Sequence, residues 1–183
     1  MHDQDAELVA RWRRGEPAAF EALVQRWQAP IARFLARYAG SASSAADLSQ
    51  EVFVRVYQAR ERYRENGAFA QWLYRIAINV ARDAGRKRRH HAAPLTDELA
   101  DPAPSAAALC GKEELARVVA EALAALPDEQ RLVLVFRHYE EMSFEDISRL
   151  TGVPASTLKS RFAAALERLR RVLEAQGHGP EEI

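Results

Sequence analysis

The sequence lacks several features that secreted proteins and membrane proteins carry. Cys110 is its only cysteine, which excludes an intrachain disulfide and a thiolate metal cluster within one chain. No apolar run is long enough to cross a membrane, and the charged N-terminus has neither the apolar core nor the cleavage site of a secretory signal. We therefore expect a cytoplasmic chain without membrane insertion.

Motifs that carry catalysis are also missing. The sequence contains no Gly-rich phosphate loop, no GxSxG elbow, no HExxH motif and no paired cysteine motif. His90 and His91 are adjacent, so their side chains diverge by about 100° on a helix and cannot form an i, i+4 metal pair. We expect no enzymatic activity, no catalytic residue, no metal site and no cofactor.

The formal net charge is zero, but the charges are unevenly distributed. Residues 1–91 hold 16 Lys/Arg and 10 Asp/Glu, a net charge of +6, and residues 92–183 hold 10 and 16, a net charge of −6. Four consecutive cations stand at Arg86 to Arg89. A chain of this kind can contact DNA while it presents acidic or mixed surfaces to protein partners.

Apolar residues recur at helical spacing through the first half of the chain, and no β pattern of any length occurs. Pro17 is expected to start the second helix, and Pro30 to kink or break it. Residues 40–46 are predicted to be a loop, with Ser44 and Asp47 capping the next helix.

Aromatic residues precede the four cations. A long helix is predicted from Phe69, with Phe69 and Trp72 on its buried side. Aromatic rings beside cations suit the stacking of unpaired bases, and Tyr63 in the preceding loop is the better candidate for that contact. A solvated basic helix end is the alternative for the cations.

Residues 92–110 contain three prolines and no sustained apolar period, so we predict a linker there. The expected fold is all-α, with two small helical domains at 1–91 and 111–175 and a short tail at 176–183.

The stretch from Ser143 to Arg171 is typical of a helix-turn-helix. Ser143 and Asp146 form a capping box, and Gly152 ends the first helix in the left-handed conformation. The second helix has one apolar stripe, predicted to contain Leu158, Phe162, Leu166 and Leu169.

The other face of that second helix is small, polar and cationic, as a helix in a DNA major groove requires. It carries Ser156, Thr157, Lys159, Ser160 and Arg161. An amphipathic hairpin with a solvated basic face is the alternative interpretation of this segment.

Two longer stretches resemble a known family. DLSQEVFVRVY and FAQWLYRIAINVARDAGRKRR, within residues 20–89, are similar to the central helices of region 2 in the extracytoplasmic-function (ECF) subgroup of the sigma-70 family. LPDEQRLVLVFRHYEEMSFEDISRLTGVPASTLKSRF, within residues 115–173, resembles region 4. The linker between them suits a subgroup that lacks region 3.

The resemblance implies an initiation factor that binds core RNA polymerase and promoter DNA. The residues it would place against the β′ clamp helices of the polymerase are Asp47, Gln50, Glu51 and Arg55. The end of region 4 would lie near the β flap, and an anti-sigma factor is a further expected partner.

The resemblance also assigns DNA contacts. A loop and the helix after it would face the −10 element through Arg62, Tyr63, Arg64, Asn66, Phe69, Arg75, Asn79, Arg82, Arg86 and Lys87. Ser156 to Arg161 would enter the major groove at the −35 element. Ala164 and Leu166 stand where the family usually carries arginine, so −35 recognition is expected to be weaker or to rely on DNA shape.

Two other functional classes are weighed against this one. In the first, the chain is a helix-turn-helix regulator of another class, whose residues 1–91 sense a ligand or dimerise, and the aromatic and basic pattern argues against it. In the second, it is a nucleic-acid enzyme, for which the sequence has no catalytic constellation.

Overall fold

All regular elements in the described part of the chain are helical. The computed structural model describes residues 2–40, 42–64, 69–91 and 111–175. The first four helices are α1 (His2–Arg13), α2 (Pro17–Ala39), α3 (Ala42–Gln58) and α4 (Phe69–His91), with a 3₁₀ turn at Arg60–Arg62. The last four are α5 (Gly111–Ala124), α6 (Asp128–Leu134), α7 (Phe144–Thr151) and α8 (Ala155–Ala175), with a π-helical turn at Val135–Tyr139.

These helices form two groups, the N-terminal bundle (α1–α4) and the C-terminal bundle (α5–α8). The predicted all-α fold with two small helical domains is confirmed. The predicted linker at 92–110 and the tail at 176–183 lie outside the described residues. None of the described helices has both the length and the apolar character needed to cross a bilayer.

The core of the N-terminal bundle is formed by the apolar sides of its helices. Trp12, Leu23, Ile31, Phe34 and Leu73 have at most 1 % of their surface exposed. Each such side chain contributes roughly 1.5–3 kcal/mol through burial, and this packing holds four amphipathic helices that would be marginal alone.

Of the two outcomes predicted at Pro30, a kink or a break, the structure excludes the break, and the predicted start of α3 needs correction. α2 continues through Pro30 to Ala39, so proline does not break it. Buried residues on both sides of Pro30 anchor the helix to the core, and this packing offsets the roughly 3 kcal/mol that an interior proline costs. The predicted loop at 40–46 is also wrong, because α3 already begins at Ala42 and contains Ser44 and Asp47. Gly40, at φ 71°, ends α2 in the left-handed conformation.

The helix-turn-helix forms largely as predicted. The Ser143 hydroxyl accepts a hydrogen bond from the Asp146 amide at 3.0 Å, and Gly152 ends α7 at φ 75°. The predicted stripe on α8 is wrong at Leu166, which is 46 % exposed, whereas Ala165 is fully buried. Two successive steps of four residues from Leu158 drift by about 80° around a helix, so Leu166 leaves the buried face.

The two bundles pack directly against each other, although the sequence predicts only a loose connection. Phe34 of α2 and Phe136 of the π-helical turn stack with ring centroids 5.0 Å apart, and neither is exposed. Tyr74 of α4 meets Phe136 edge-on at 5.4 Å. This aromatic contact fixes how the surfaces of the two bundles face each other.

Candidate DNA and polymerase interfaces

Helix α4 presents a polar face along the length of the N-terminal bundle. Its buried side includes Leu73, Ala77 and Val80, while Arg75 and Asn79 are exposed and Arg82 is half-buried. Arg75, Asn79 and Arg82 stand at i, i+4 and i+7, so they share one side of the helix. Arg86 and Lys87 are exposed further along α4.

The aromatic residues before α4 are packed inside. Tyr63 is 3 % exposed, and its ring lies 4.7 Å from Trp72 and 6.0 Å from Phe69, which is also 3 % exposed. The prediction that Tyr63 is the more available of these rings is wrong, because the 3₁₀ turn at Arg60–Arg62 directs it back into the core. Arg62 and Arg64 are exposed, and Asn66 lies outside the described residues.

Arg82 already has polar partners. Its Nε and Nη2 donate to one carboxylate oxygen of Asp128 on α6, at 3.1 and 3.0 Å. The Tyr38 hydroxyl donates to the other oxygen at 2.7 Å and accepts from Arg82 Nε at 3.1 Å. Burial, together with the hydrogen bond to Asp128, raises the pKa of Tyr38 above its ordinary value of 10.0, so the hydroxyl remains a donor.

The predicted −35 face lies at the start of α8. Ser156, Lys159 and Ser160 are exposed, and Thr157 and Arg161 are half-buried. Arg161 forms an ion pair of 2.6 Å with Glu129 of α6. Ala164 is exposed beside this face, so its methyl group stands where a longer side chain would fit.

A cleft between the bundles is lined by part of the predicted −10 face and, from the predicted −35 face, by Arg161 alone. The cleft has a volume of about 520 Å³. Arg75, Asn79 and Arg82 line it from α4, and Arg149 and Arg161 line it from α7 and α8. Sequence reasoning did not single out Arg149 or the acids Asp128 and Glu129, since nothing local distinguishes them from a solvated face.

The predicted polymerase surface lies on α3, on another side of the N-terminal bundle. Asp47, Gln50 and Glu51 are exposed. Arg55 is half-buried and donates to Glu51 at 2.7 Å and to Asp83 of α4 at 2.8 Å. The hydrogen bond from Arg55 lowers the pKa of Asp83, so this carboxylate is charged at neutral pH.

An apolar groove between α2 and α3 adjoins this surface. Val54 and Tyr57 are 49 % and 55 % exposed there, beside Phe20 and Phe53. Large apolar side chains at this exposure mark a surface that another molecule can cover. The sequence analysis did not identify Val54 and Tyr57 as functional residues. Both are apolar residues outside the buried stripe of α3, and an apolar residue at such a position indicates a binding surface.

The described ranges contain no group of three or more His, Cys, Asp or Glu side chains that could hold a metal ion. The chemistry of these surfaces is that of cations, amides, hydroxyls and apolar groups, which bind phosphates, bases and protein helices.

Two family models match the chain in the predicted order. The model of Sigma-70 region 2 matches residues 23–91. The model of Sigma-70, region 4, matches residues 116–169.

Curated relatives are similar over almost their whole length. The RNA polymerase sigma-H factor of Pseudomonas aeruginosa is 34 % identical over an alignment of 185 positions, and the alignment covers 94 % of this chain and 95 % of the relative. The ECF RNA polymerase sigma-E factor of Escherichia coli K12 is 32 % identical over 174 residues, 89 % of this chain and 91 % of the relative.

Solved structures share the fold. CnrH in complex with the cytosolic domain of CnrY is 26 % identical, with a TM-score of 0.72 over 94 % of this chain and 98 % of that one. The sigma factor RpoE of Bartonella quintana, in complex with the anti-sigma factor NepR, is 20 % identical with a TM-score of 0.69, over 85 % of this chain and 96 % of that one. The second likeness concerns the fold alone.

Proposed function

The chain belongs to the ECF subgroup of the sigma-70 family of RNA polymerase sigma factors, and from that premise we propose how its surfaces initiate transcription. A sigma factor is an initiation factor and not an enzyme. In our proposal it binds core RNA polymerase, directs it to the −10 and −35 elements of a specific set of promoters and promotes DNA melting. The observation that carries the proposal is the polar face of α4 combined, in one chain, with the exposed polar start of α8.

The −10 element is assigned to the N-terminal bundle. Opening DNA without ATP requires that the cost of unstacking, a few kcal/mol per step, be offset by base capture and phosphate contacts. Arg75, Asn79 and Arg82 supply cationic and amide groups on one side of a rigid helix, and Arg86 and Lys87 extend the positive charge along it. Arg62, Arg64 and Asn66 are proposed to act from the preceding loop.

Tyr63 and Phe69 have a different role in this proposal. Both are buried against Trp72, so they position the loop rather than stack on bases. Trp72 is half-buried, and its exposed edge is the aromatic surface that remains at this end of α4.

The −35 element is assigned to the start of α8. Ser156, Thr157, Lys159, Ser160 and Arg161 would contact base edges and phosphates from within the major groove. The helix-turn-helix holds this helix at a defined angle because Ser143 caps α7 and Gly152 reverses the chain. Only two of the five side chains are cationic, so the electrostatic part of the affinity is modest.

In this proposal, α3 provides the binding surface for core polymerase. Asp47, Gln50, Glu51 and Arg55 form the polar part of this surface, and the groove with Val54 and Tyr57 adds the apolar contact that binding requires. We propose the β′ clamp helices as the partner on this face and the β flap near the end of the C-terminal bundle.

Domain limits, location and regulation complete the proposal. Residues 1–91 and 111–175 are the two functional domains, joined by the linker at 92–110 and followed by the tail at 176–183. The site of action is the cytoplasm, where polymerase and promoter DNA are found. An anti-sigma factor is a proposed partner, since CnrH was solved in complex with the cytosolic domain of CnrY and the sigma factor RpoE in complex with the anti-sigma factor NepR.

Run-off transcription with purified core polymerase tests the function. Initiation at specific sites only when this chain is added supports the proposal. Operator binding without core polymerase, and no initiation with it, would instead favour a helix-turn-helix regulator.

Variants then separate the two DNA contacts. The Asn79→Ala, Arg82→Ala double variant should lose open-complex formation more than polymerase binding. Lys159→Ala with Arg161→Ala should reduce the use of promoters that depend on the −35 element, and an unchanged footprint there would contradict the assignment.

A further inference from the structure

Another cavity opens where α4 faces α6 and the end of α2. Its volume is about 490 Å³, within the range of roughly 300–1,000 Å³ that small-molecule sites occupy. The charged residues that line it are four arginines and one aspartate: Arg82, Arg86, Arg88, Arg131 and Asp128. We call this cavity the arginine pocket. Its lining carries four positive charges and one negative charge, so it suits a ligand with several negative charges.

The four arginines differ in their partners. Arg82 and Arg86 each form an ion pair with an aspartate. Arg88 on α4 and Arg131 on α6 form no ion pair with any residue that the structure describes. A guanidinium group without a carboxylate partner can bind one phosphate group through two parallel hydrogen bonds. The pocket therefore offers one such group from each of two helices.

Arg131 is the stronger indication of a ligand. Its side chain is half-buried, with Nη1 donating to the backbone carbonyl of Ala124 at 3.2 Å and the guanidinium carbon 5.8 Å from the centre of the Tyr38 ring. Its Nε is buried and has no hydrogen-bond partner within the described ranges. Removing a cation from water without a counter-charge is unfavourable, so an anion in the pocket would offset this cost.

Gly85 leaves room on the α4 side of the pocket. It stands inside the helix, where glycine is less favourable than alanine. A Cβ added at Gly85 would meet none of the described residues within 4 Å, so close packing does not require glycine there. Ala81, Gly85 and Arg88 stand at i, i+4 and i+7 on one side of α4, and all three line the pocket. The missing side chain thus leaves space beside the arginines that a ligand can fill.

We propose that the arginine pocket binds a small molecule that carries a chain of two or more linked phosphate groups. Arg88 and Arg131 each bind one phosphate, and the linkage places the second phosphate at a high effective concentration once the first is bound. Arg82 and Arg86 contribute further positive charge from α4. A nucleotide and an inorganic polyphosphate share this chemistry, and the choice of probes below distinguishes them.

The arginine pocket overlaps the assigned −10 face only in part. Arg82 and Arg86 belong to both, whereas Gly85, Arg88 and Arg131 belong to the pocket alone. The ligand should therefore compete with promoter DNA for two arginines, and this consequence rests on the proposed function. The binding site itself does not depend on it.

Isothermal titration calorimetry of the full chain, in EDTA and at constant ionic strength, tests the site. Inorganic tripolyphosphate should bind about 100-fold more tightly than inorganic phosphate, because its phosphate groups are linked. Citrate carries its charges on carboxylates and should bind more weakly than tripolyphosphate. Binding of tripolyphosphate that is no tighter than that of inorganic phosphate or of citrate would overturn the proposal.

ATP is the probe that separates the two sources of linked phosphates. Binding of ATP that is tighter than that of tripolyphosphate assigns the pocket to nucleotides. Equal or weaker binding of ATP assigns it to the inorganic chain.

Variants of the pocket make the test specific. Arg88→Gln and Arg131→Gln should each weaken the binding of tripolyphosphate about ten-fold, as expected for the loss of one hydrogen-bonded charge. Gly85→Leu keeps every arginine but fills the open space, and it should weaken binding by a similar factor. Far-UV circular dichroism checks that each variant is folded.

Lys87→Gln is the matched control for tripolyphosphate binding. Lys87 stands between Arg86 and Arg88 in the sequence and is exposed, but it does not line the pocket. The variant should bind tripolyphosphate within about two-fold of the native affinity, since an exposed charge contributes little. Equal losses in Lys87→Gln and Arg88→Gln, or no loss in Arg131→Gln and Gly85→Leu, would show that the four consecutive cations bind polyanions without a pocket. Either result would overturn the proposal.

DNA is the alternative occupant of the pocket. Arg131→Gln should leave the binding of promoter DNA by the holoenzyme at its native level, because Arg131 lies outside the assigned DNA faces. Weaker DNA binding in this variant, with unchanged binding of tripolyphosphate, would assign the pocket to DNA phosphates and overturn the proposal.

The two proposals fail separately. Absence of run-off transcription, together with specific binding of tripolyphosphate, contradicts the proposed function alone. Normal run-off transcription without specific binding contradicts the arginine pocket alone.

Discussion

Arg55 of α3 donates a hydrogen bond of 2.8 Å to Asp83 of α4, and the same guanidinium group donates to Glu51 in its own helix. Arg55, which the sequence analysis assigns to polymerase binding, thus also links two helices of the N-terminal bundle. Asp83 also forms an ion pair with Arg86, so one carboxylate binds two cations.

Asp83→Asn should lower the free energy of unfolding of the N-terminal bundle by about 0.5–1 kcal/mol at neutral pH, because the pairs it breaks are partly exposed. Urea denaturation followed by circular dichroism measures this. Glu121→Gln, which breaks the exposed pair with Arg117 on α5, is the matched control and should change stability less.

The stability provided by Asp83 should also depend on pH. Its pKa is lowered in the folded protein, chiefly by the hydrogen bond from Arg55, so the unfolded chain binds the proton more readily. This contribution is fully present above the unfolded pKa of about 3.9 and is lost as the pH falls through the folded value. The difference between the native chain and Asp83→Asn should therefore shrink in acid, and a constant difference from pH 7 down to pH 2 would contradict it.

Tyr63→Ala should destabilise the N-terminal bundle by about 3 kcal/mol, since it leaves a cavity between Trp12, Phe69 and Trp72. Tyr63→Phe keeps the ring and should stay close to native stability. Thermal melting distinguishes the two variants. Native melting of Tyr63→Ala with selective loss of promoter opening would show that the ring acts on DNA.

Gly152→Ala should destabilise the helix-turn-helix by about 1–2 kcal/mol, because Gly152 has φ +75° and an added Cβ is strained there even in open space. Gly85→Ala is the control. Gly85 is helical and a Cβ added there would meet nothing within 4 Å, so the substitution should leave stability unchanged or raise it slightly. In calorimetry, the melting temperatures of the two variants should shift in opposite directions or by clearly different amounts.

Ala164→Arg should strengthen binding to the upstream promoter element. The position is exposed beside Lys159 and Ser160, and one new phosphate contact adds about 0.9 to the slope of log affinity against log salt. Holoenzyme binding measured at several salt concentrations gives this slope. Ala18→Arg adds the same charge at an exposed position of α2 and should leave the slope near its native value.

The features that sequence predicted well are local. Ser143, Gly152 and the start of α2 at Pro17 are governed by a few neighbouring residues, so capping and turn chemistry suffice to find them. Likewise, the polar side of α4 follows from helical spacing alone.

The features that sequence did not predict depend on distant partners. Tyr38 and Asp128 are 90 positions apart, and no periodicity connects them. Tyr63 follows the 3₁₀ turn and packs against Trp12 and Trp72, so its burial cannot be read from adjacent residues. Leu166 was predicted on the apolar stripe because it stands four residues after Phe162. The buried residue is instead Ala165, which stands three residues after Phe162.

The stacked pair Phe34 and Phe136 has a consequence for how the molecule behaves in bulk. Each ring is fully shielded only while the other covers it, so separation of the bundles wets two aromatic faces at once. A molecule whose bundles have separated therefore exposes apolar surface, and its self-association should rise with concentration and temperature.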